Sequence, residues 1–253
     1  MKRILRIQLL GATIIIALMA LALSAPPVLA GMKEAKAAYD AKDYKTAFEE
    51  YLPLAEAGNA DAQYWIGYIY RYGLGRKQNY KKAVEWFIKA AKNGDVAVIG
   101  DLGYMAGKGH GMPKSIDREI CLYRLAAERG YSDAQWNLYL TLPVNFSTID
   151  EVKSLLNRAA RQGQPNALAR KGALLTLNPL VFDKTEGLMY LVLAQKYGDD
   201  PEVDDVLEKV VGDNPSRKKQ LEKAKAMAAK WKPIEEPDPE NSPPPDFIAC
   251  LDK

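Results

Sequence analysis

A glycine recurs along this chain at nearly constant intervals, each time just after a segment that contains alanine. The five positions are Gly58, Gly94, Gly130, Gly163 and Gly198, at spacings of 36, 36, 33 and 35 residues. A fixed period in the range of about 20–50 residues is the sequence signature of repeat architectures. Because one repeat cannot cover its own apolar face, its neighbours must stack on it. The period therefore predicts stacked repeats.

Small residues recur at fixed offsets from the first four glycines. Three residues before these glycines, the chain has Ala55, Ala91, Ala127 and Ala160. Four residues after them, it has Ala62, Val98, Ala134 and Ala167. Nine residues after them, it has Gly67, Gly103, Tyr139 and Gly172. Side chains this small let two backbones approach closely. We interpret these positions as structural, with Tyr139 as the exception in the third repeat.

Each repeat is predicted to be a pair of helices. The first begins at Asn59, a favoured N-cap, with Asp61 in its first turn. The second carries a single apolar face made of Ala83, Trp86, Phe87, Ala90 and Ala91. It ends at Gly94, where glycine can adopt the left-handed conformation that closes a helix. The predicted fold class is all-α, a right-handed α-solenoid of stacked antiparallel helical hairpins.

The pattern A-x-x-G-x-x-x-A-x-x-x-x-G resembles the Sel-one-like repeat (SLR) family, whose hairpins are related to tetratricopeptide repeats. The loop at residues 73–75, and its counterpart at residues 107–109 followed by Met112 and Pro113, resemble that family as well. The resemblance covers about residues 35–232. The third repeat departs from it, because it has no glycine loop and carries Tyr139 in place of glycine.

The first thirty residues are predicted to be a signal peptide. A basic start (Lys2, Arg3, Arg6) precedes an apolar run of 15 residues, Leu9–Leu23, and small residues favour cleavage after Ala30. The alternative is an uncleaved anchor, but a stable span needs about 18–20 apolar residues. We therefore expect export, to the periplasm or outside the cell, and no stable membrane span after cleavage.

Residues 31–232 are assigned to the solenoid, and residues 233–253 to a Pro-rich, acidic tail that we expect to be extended. The last solenoid helix, about residues 215–232, begins at Pro215 after Asn214. It is basic and amphipathic, and its apolar residues are Leu221, Ala224, Met227, Ala228 and Trp231. We interpret it as a cap on the last hairpin; the alternative is a helix that lies on a membrane surface.

Composition argues against several classes of function. The whole chain has 35 basic and 32 acidic residues, and removal of the three basic residues of the signal peptide brings the net charge to zero. Such a chain lacks the basic field that nucleic acids require. One histidine and two cysteines do not make a His- or Cys-rich metal site, and the known nucleotide, hydrolase and metalloprotease motifs are absent from the sequence. We expect no enzyme activity, no cofactor and no metal.

The two cysteines are predicted to pair. In the other repeats, the position of Cys121 holds Glu49, Glu85 and Ser154, so we expect Cys121 on an exposed helix face. Cys250 lies near the end of the tail, and an exported protein meets an oxidising compartment. A Cys121–Cys250 disulfide would fold the tail back over the third hairpin. Two free thiols and an intermolecular bridge remain as alternatives.

The candidate binding surface is the concave face, which the first helices of such hairpins line. The positions six and ten residues after the glycines include Tyr64, Tyr68, Tyr104 and Trp136, with Arg71 as an adjacent donor. Tyr, Trp and Arg often anchor protein interfaces. The alternative is that these aromatic residues only pack the hairpins together.

The resemblance to SLR proteins implies a non-catalytic adaptor that binds a protein or peptide partner. Together with the signal peptide, it predicts an exported scaffold of the cell envelope. Two alternatives stay open, a secreted host-interaction factor and an envelope enzyme that acts on peptidoglycan or another polysaccharide.

Overall fold

The computed structural model describes residues 28–180, 183–234, 236 and 246–253. These residues form thirteen α-helices and no β-strand. Residues 1–27 of the predicted signal peptide lie outside the described part of the chain. The first helix begins at Val28, so the predicted cleavage site after Ala30 falls within it.

The chain divides into two compact units, an N-terminal unit that ends at Asn93 and a C-terminal unit that begins at Gly94. The helices of the N-terminal unit are α1 (Val28–Asp40), α2 (Tyr44–Glu56), α3 (Ala60–Tyr72) and α4 (Tyr80–Lys92). Those of the C-terminal unit are α5 (Val98–Lys108), α6 (Ile116–Glu128), α7 (Ser132–Thr141), α8 (Ile149–Arg161), α9 (Pro165–Leu177), α10 (Thr185–Tyr197), α11 (Pro201–Val211), α12 (Pro215–Lys230) and α13 (Ile248–Leu251).

Consecutive helices pack in pairs, and each pair packs on the next within its unit. The N-terminal unit holds the hairpins α1–α2 and α3–α4, and the C-terminal unit holds α5–α6, α7–α8 and α9–α10. The repeating glycine closes four of these hairpins: Gly58, Gly94, Gly130 and Gly163 all have positive φ, from 85° to 104°. Gly198 instead has φ −149°, which fits the weak repeat pattern of the fifth unit.

The glycine at the ninth position brings the two helices of a hairpin into contact. A Cβ on Gly67 of α3 would lie 2.6 Å from the Phe87 ring of α4, and one on Gly172 of α9 would lie 2.7 Å from Leu191 of α10. At both crossings a larger side chain packs directly on the backbone of the facing helix. In the third repeat the equivalent Tyr139 is partly buried and stacks on Trp136, with ring centroids 5.2 Å apart.

Two buried glutamines that the sequence analysis did not single out tie neighbouring repeats together. Gln63 lies five residues after Gly58, donates from Nε2 to the Ala55 carbonyl at 2.9 Å, and accepts from Asn93 Nδ2 at 2.9 Å. Gln135 lies five residues after Gly130 and repeats this pattern with the Ala127 carbonyl and Gln162 Nε2. A buried amide needs such partners, since an unsatisfied polar group is costly.

Helix α12 packs against α10 and α11. The Asn214 side chain caps its start by accepting from the Ser216 and Arg217 backbone amides. Ala224 and Ala228 are buried, whereas Met227, predicted to belong to the apolar stripe, is 39% exposed. The helix therefore covers the last hairpin with Ala224 and Ala228, while Leu221 and Trp231 pack beside them partly buried.

The tail returns along the repeats of the C-terminal unit. The Ile234 amide donates to the Arg161 carbonyl at 2.9 Å. Two residues later, the Glu236 carboxylate accepts from Arg158 Nη2 at 2.6 Å and from Gln135 Nε2 at 3.0 Å. The hydrogen bond from Arg158 lowers the pKa of Glu236 below its ordinary value, so the pair is ionised at neutral pH.

The end of the tail is held at α6. Phe247 and Cys250 are buried, and Arg118 Nε donates to the Leu251 carbonyl at 2.9 Å. Cys121 and Cys250 are joined by a disulfide, with their Cα atoms 5.6 Å apart. Cys121 is half-buried, because the tail covers the face of α6 on which it lies. The equivalent positions of the other repeats hold polar residues. The expected extended conformation does not hold for residues 248–251, which form α13.

We predict that Gly67→Ala destabilises the protein and that Gly100→Ala does not. A methyl group on Gly67 overlaps the Phe87 ring, which costs about 1–3 kcal/mol of unfolding free energy. Gly100, also helical, has Ala134 Cβ as its nearest neighbour at 3.9 Å, so alanine there should add about 0.5 kcal/mol of stability through helix propensity. Urea denaturation of the two variants measures both changes, and equal losses would contradict the close helix contact.

We predict that the disulfide stabilises the folded protein. It joins residues 129 positions apart, and removal of a native disulfide commonly costs about 2–5 kcal/mol. Mass spectrometry of non-reduced peptides should find Cys121 linked to Cys250, and a reducing agent should lower the Tm. A variant with Cys121→Ser and Cys250→Ser is the control, because its Tm should not respond to the reductant. Two thiols that alkylate without reduction would contradict the pairing.

Candidate interaction site

The five residues predicted to form the binding surface fall in both units. Tyr64, Tyr68 and Arg71 lie on α3 of the N-terminal unit, and Tyr104 and Trp136 lie on α5 and α7 of the C-terminal unit. The neighbours of each group within its own unit decide what it can bind.

Tyr64 and Tyr68 belong to an aromatic cluster that joins α1, α3 and α4. The Tyr64 ring stacks on Phe87 at a centroid distance of 5.7 Å, and the Tyr68 ring lies 6.3 Å from that of Tyr39. Burial, followed by the nearby Tyr68, raises the pKa of Tyr39 to about 12. The Tyr39 phenol therefore stays neutral at physiological pH. Their contacts are those of hairpin packing, although both tyrosines keep an accessible edge.

The position of Arg71 corrects the sequence prediction. We expected it to be an accessible donor beside the tyrosines, but it is only 9% exposed. Arg71 follows Gly67 by four residues, so helical geometry places both on the same face of α3. Its guanidinium carbon lies 5.0 Å from the centre of the Tyr72 ring.

Tyr104 lies on α5, beside the single histidine. It is about one third exposed, and its ring centroid is 6.2 Å from that of His110. Lys108 Nζ lies 5.7 Å from the Tyr104 ring. The single histidine is therefore next to an aromatic ring and a lysine. Among the described residues, no group of three or more His, Cys, Asp or Glu side chains is placed to hold a metal ion.

Trp136 lies between two cavities, which we call together the Trp136 groove. The first has a volume of about 240 Å³ and is lined by Trp136, Asn166, Ala169, Arg170, Ala173, Leu191, Asp200, Glu202, Val203 and Val206. The second has a volume of about 420 Å³ and is lined by Trp136, Tyr139, Leu140, Leu142, Val144, Val152 and Arg170. Trp136 and Arg170 line both, so the cavities adjoin.

The groove is built from equivalent positions of successive first helices. Trp136 and Ala169 are each six residues after a repeat glycine, while Leu140 and Ala173 are each ten residues after one. Thus α7 and α9 present the same two helical positions to one groove. The large residues stand on α7 and the alanines on α9, and this difference in size leaves the space between them.

The groove combines an apolar interior with charged edges. Arg170 Nε donates to the Tyr139 hydroxyl at 3.0 Å, which holds the guanidinium over the shared wall of the two cavities. Asp200 caps α11 by accepting from the Glu202 amide, and both carboxylates line the first cavity. Such a site suits an apolar side chain in a segment that also carries polar groups.

Exposed apolar residues lie at the end of α7 and in the loop between α7 and α8. Leu140 of α7 is 61% exposed, and Val144 and Phe146 of the loop are 67% and 100% exposed. A contiguous exposed apolar patch often marks a surface that another molecule covers. The sequence analysis noted that the third repeat has no glycine loop, but it did not assign residues 142–148 to the site. Its run of Leu, Pro, Val and Phe was the available signal.

Comparison with known proteins places these hairpins in a family. A model of the Sel1 repeat matches residues 60–95 and 101–131, which correspond to α3–α4 and α5–α6. A segment of 82 residues is 38% identical to the chitin synthase regulator SKT5 of Saccharomyces cerevisiae. One of 58 residues is 40% identical to HRD3A, an ERAD-associated E3 ubiquitin-protein ligase component of Arabidopsis thaliana.

These two matches are local. They cover 30% and 22% of this chain, but only 12% and 9% of the two relatives. Solved structures extend the similarity in fold over most of the chain. A Sel1 repeat protein from Oxalobacter formigenes superposes with a TM-score of 0.58 and 22% identity, and the match covers 79% of this chain and all of that one.

A second structure is a protective antigen of uropathogenic Escherichia coli with an SLR fold. Its TM-score is 0.53 at 21% identity, and the match covers 72% of this chain and 41% of that one. These matches confirm the predicted all-α solenoid of helical hairpins. Sel1 repeat proteins serve as protein–protein interaction scaffolds and are generally non-catalytic. This chain thus carries two Sel1 repeats, at residues 60–95 and 101–131, and its helical hairpins have the fold of solved Sel1 repeat proteins.

Proposed function

We propose that this protein is an exported, non-catalytic scaffold of the cell envelope that binds a partner protein through the Trp136 groove. The observation that carries the proposal is the repetition of the groove positions. Equivalent sites on α7 and α9 converge on one partly apolar channel, and exposed Leu140 and Val144 extend it. The partner segment is expected to insert an apolar side chain next to Trp136 and to place an acidic group near Arg170.

The chemistry of the groove supports binding rather than catalysis. Its acidic residues, Asp200 and Glu202, stand at the start of α11, where Asp200 serves as the helix cap. Its one cation, Arg170, is held by a tyrosine hydroxyl. General acid–base or nucleophilic catalysis needs a nucleophile and a base within hydrogen-bond distance of each other, and the lining residues provide no such pair.

Export is supported by the sequence of the first thirty residues and by the disulfide. Within the described residues, no helix has the length and apolar character needed to cross a membrane. A disulfide between Cys121 and Cys250 suits an oxidising compartment. We therefore expect the partner protein in the cell envelope as well, because a scaffold and its partner must occupy the same compartment.

We expect a photo-crosslinking amino acid at Leu140 to capture the partner in living cells. The matched control is the same amino acid at Ile116, which is 54% exposed but lies on the second helix α6, away from the groove. Mass spectrometry identifies the adduct. Equal capture from both positions would contradict a groove-specific contact.

We predict that a variant with Leu140→Asp and Arg170→Glu binds the purified captured partner at least about tenfold more weakly than the wild type. The substitutions remove one apolar contact and reverse one charge at the groove, each worth about 1–2 kcal/mol. Ile116→Asp should bind as the wild type does. Titration calorimetry measures both, with circular dichroism to verify folding. Unchanged affinity in a folded groove variant would overturn the proposed surface.

We predict that the mature protein begins at Gly31 and is recovered from the periplasm or the culture medium. N-terminal peptide mass spectrometry after fractionation tests this. Replacement of Ala30 by a bulky charged residue (Ala30→Arg) should block cleavage and leave the longer chain. A protein that keeps Met1 in the cytoplasmic fraction would contradict export.

A further inference from the structure

The tail of this protein fills a small carboxylate site on the surface of the C-terminal unit. The site consists of four residues, Ala127, Gly130, Gln135 and Arg158. The Glu236 carboxylate lies over Gly130 and accepts from Gln135 Nε2 and Arg158, while Arg158 Nη2 also donates to the Ala127 carbonyl at 2.9 Å. Glu236 Cβ would lie only 3.2 Å from a Cβ on Gly130. The absence of a side chain at Gly130 therefore makes room for the tail.

The N-terminal unit has residues at the same repeat positions, two repeats earlier in the chain. Relative to their own repeat glycines, Ala55, Gly58, Gln63 and Lys89 occupy the positions of Ala127, Gly130, Gln135 and Arg158. Asn93 takes the place of Gln162, and each of the two donates its side-chain amide to the glutamine of its site. The hydrogen-bond pattern matches as well, since Gln63 and Gln135 both donate to the alanine carbonyl.

The two sites differ in what lies over the glycine. At Gly130 the neighbour is Glu236, whereas a Cβ on Gly58 would meet a single described atom within 4 Å, the Asn93 amide nitrogen at 4.0 Å. Gln63 is almost completely buried, so its amide is fixed in place. Lys89 is exposed, and its ammonium lies 3.8 Å from the centre of the Trp86 ring. Lys89 thus supplies a cation at the repeat position of Arg158, in a unit that also has the fixed amide and the open glycine surface.

We propose that this second site, formed by Gly58, Gln63, Lys89 and Asn93, binds a glutamate side chain in an extended segment of another protein. The chain's own tail provides the template for the ligand. In the C-terminal unit, Ile234 donates its backbone amide to the carbonyl of Arg161, two residues before the repeat glycine. In the N-terminal unit the equivalent carbonyl belongs to Lys92, in the last turn of α4, where helix carbonyls lack a partner within the helix.

The ligand is therefore a peptide, because the site offers a backbone carbonyl that accepts from a peptide amide and side-chain donors for a carboxylate two residues later in the peptide. Lysine forms less directional bonds with a carboxylate than arginine does. We thus expect weaker binding here than a bidentate arginine would give. This site is separate from the Trp136 groove and does not depend on the function proposed for that groove.

The test uses the full mature chain and a synthetic peptide with the tail sequence Lys-Pro-Ile-Glu-Glu-Pro-Asp, blocked at both ends. NMR of the ¹⁵N-labelled protein should show saturable shifts of the Gln63 side-chain amide and the Gly58 backbone amide. A peptide with glutamine in place of both glutamates should bind about tenfold more weakly, because it loses the charge-assisted hydrogen bonds. Absence of saturable shifts at Gln63 and Gly58 would overturn the proposal.

Protein variants separate a specific site from general attraction of the acidic peptide. Lys89→Glu should weaken binding about tenfold or more, and Lys89→Arg should strengthen it. Lys81→Glu is the matched control: Lys81 is exposed on the same helix, and the substitution changes the net charge equally. Equal loss in Lys89→Glu and Lys81→Glu, or no loss in either, would show that the peptide does not use this site.

Discussion

The other features of the structure depend on the contact between the two helices of a hairpin. This contact forms where a glycine has no side chain to hold the helices apart. Phe87 occupies the space beside Gly67, and Leu191 occupies the space beside Gly172. A helix pair that packs this closely has a narrow buried seam, so its remaining apolar side chains face the next hairpin. Stacking follows from that geometry, and so does the regular spacing of the helix faces that can bind other molecules.

The repeat that departs from this rule is the one that forms the groove. With Tyr139 in place of glycine, α7 cannot contact its partner in the same way, and the tyrosine ring stacks on Trp136 instead. The following loop is apolar and has no glycine turn. This irregular repeat thus supplies the aromatic wall and the exposed patch, while its more regular neighbours on either side support that wall. A scaffold of near-identical repeats gains a distinctive surface where one repeat differs.

Much of the fold could be predicted because its determinants are local in sequence. Asn59, Asn214 and the positive-φ glycines act within one helical turn, and the repeat period fixes which helices are neighbours. The binding surface was less accessible to prediction. Arg71 was misplaced because its burial depends on the crossing of α3 and α4, and the groove required knowledge of how α9 and α11 meet α7. Gln63 and Gln135 were missed because a polar residue in a helix pattern does not reveal a partner some 30 residues away.

The link between α6 and α13 changes the topology of the C-terminal half of the protein. Residues 121–250 form a covalently closed ring that includes the Trp136 groove and both walls of the tail site. A protease that cuts one exposed loop within this ring leaves two fragments that are still attached to each other. A single cut of this kind therefore releases neither part of the chain that forms the Trp136 groove.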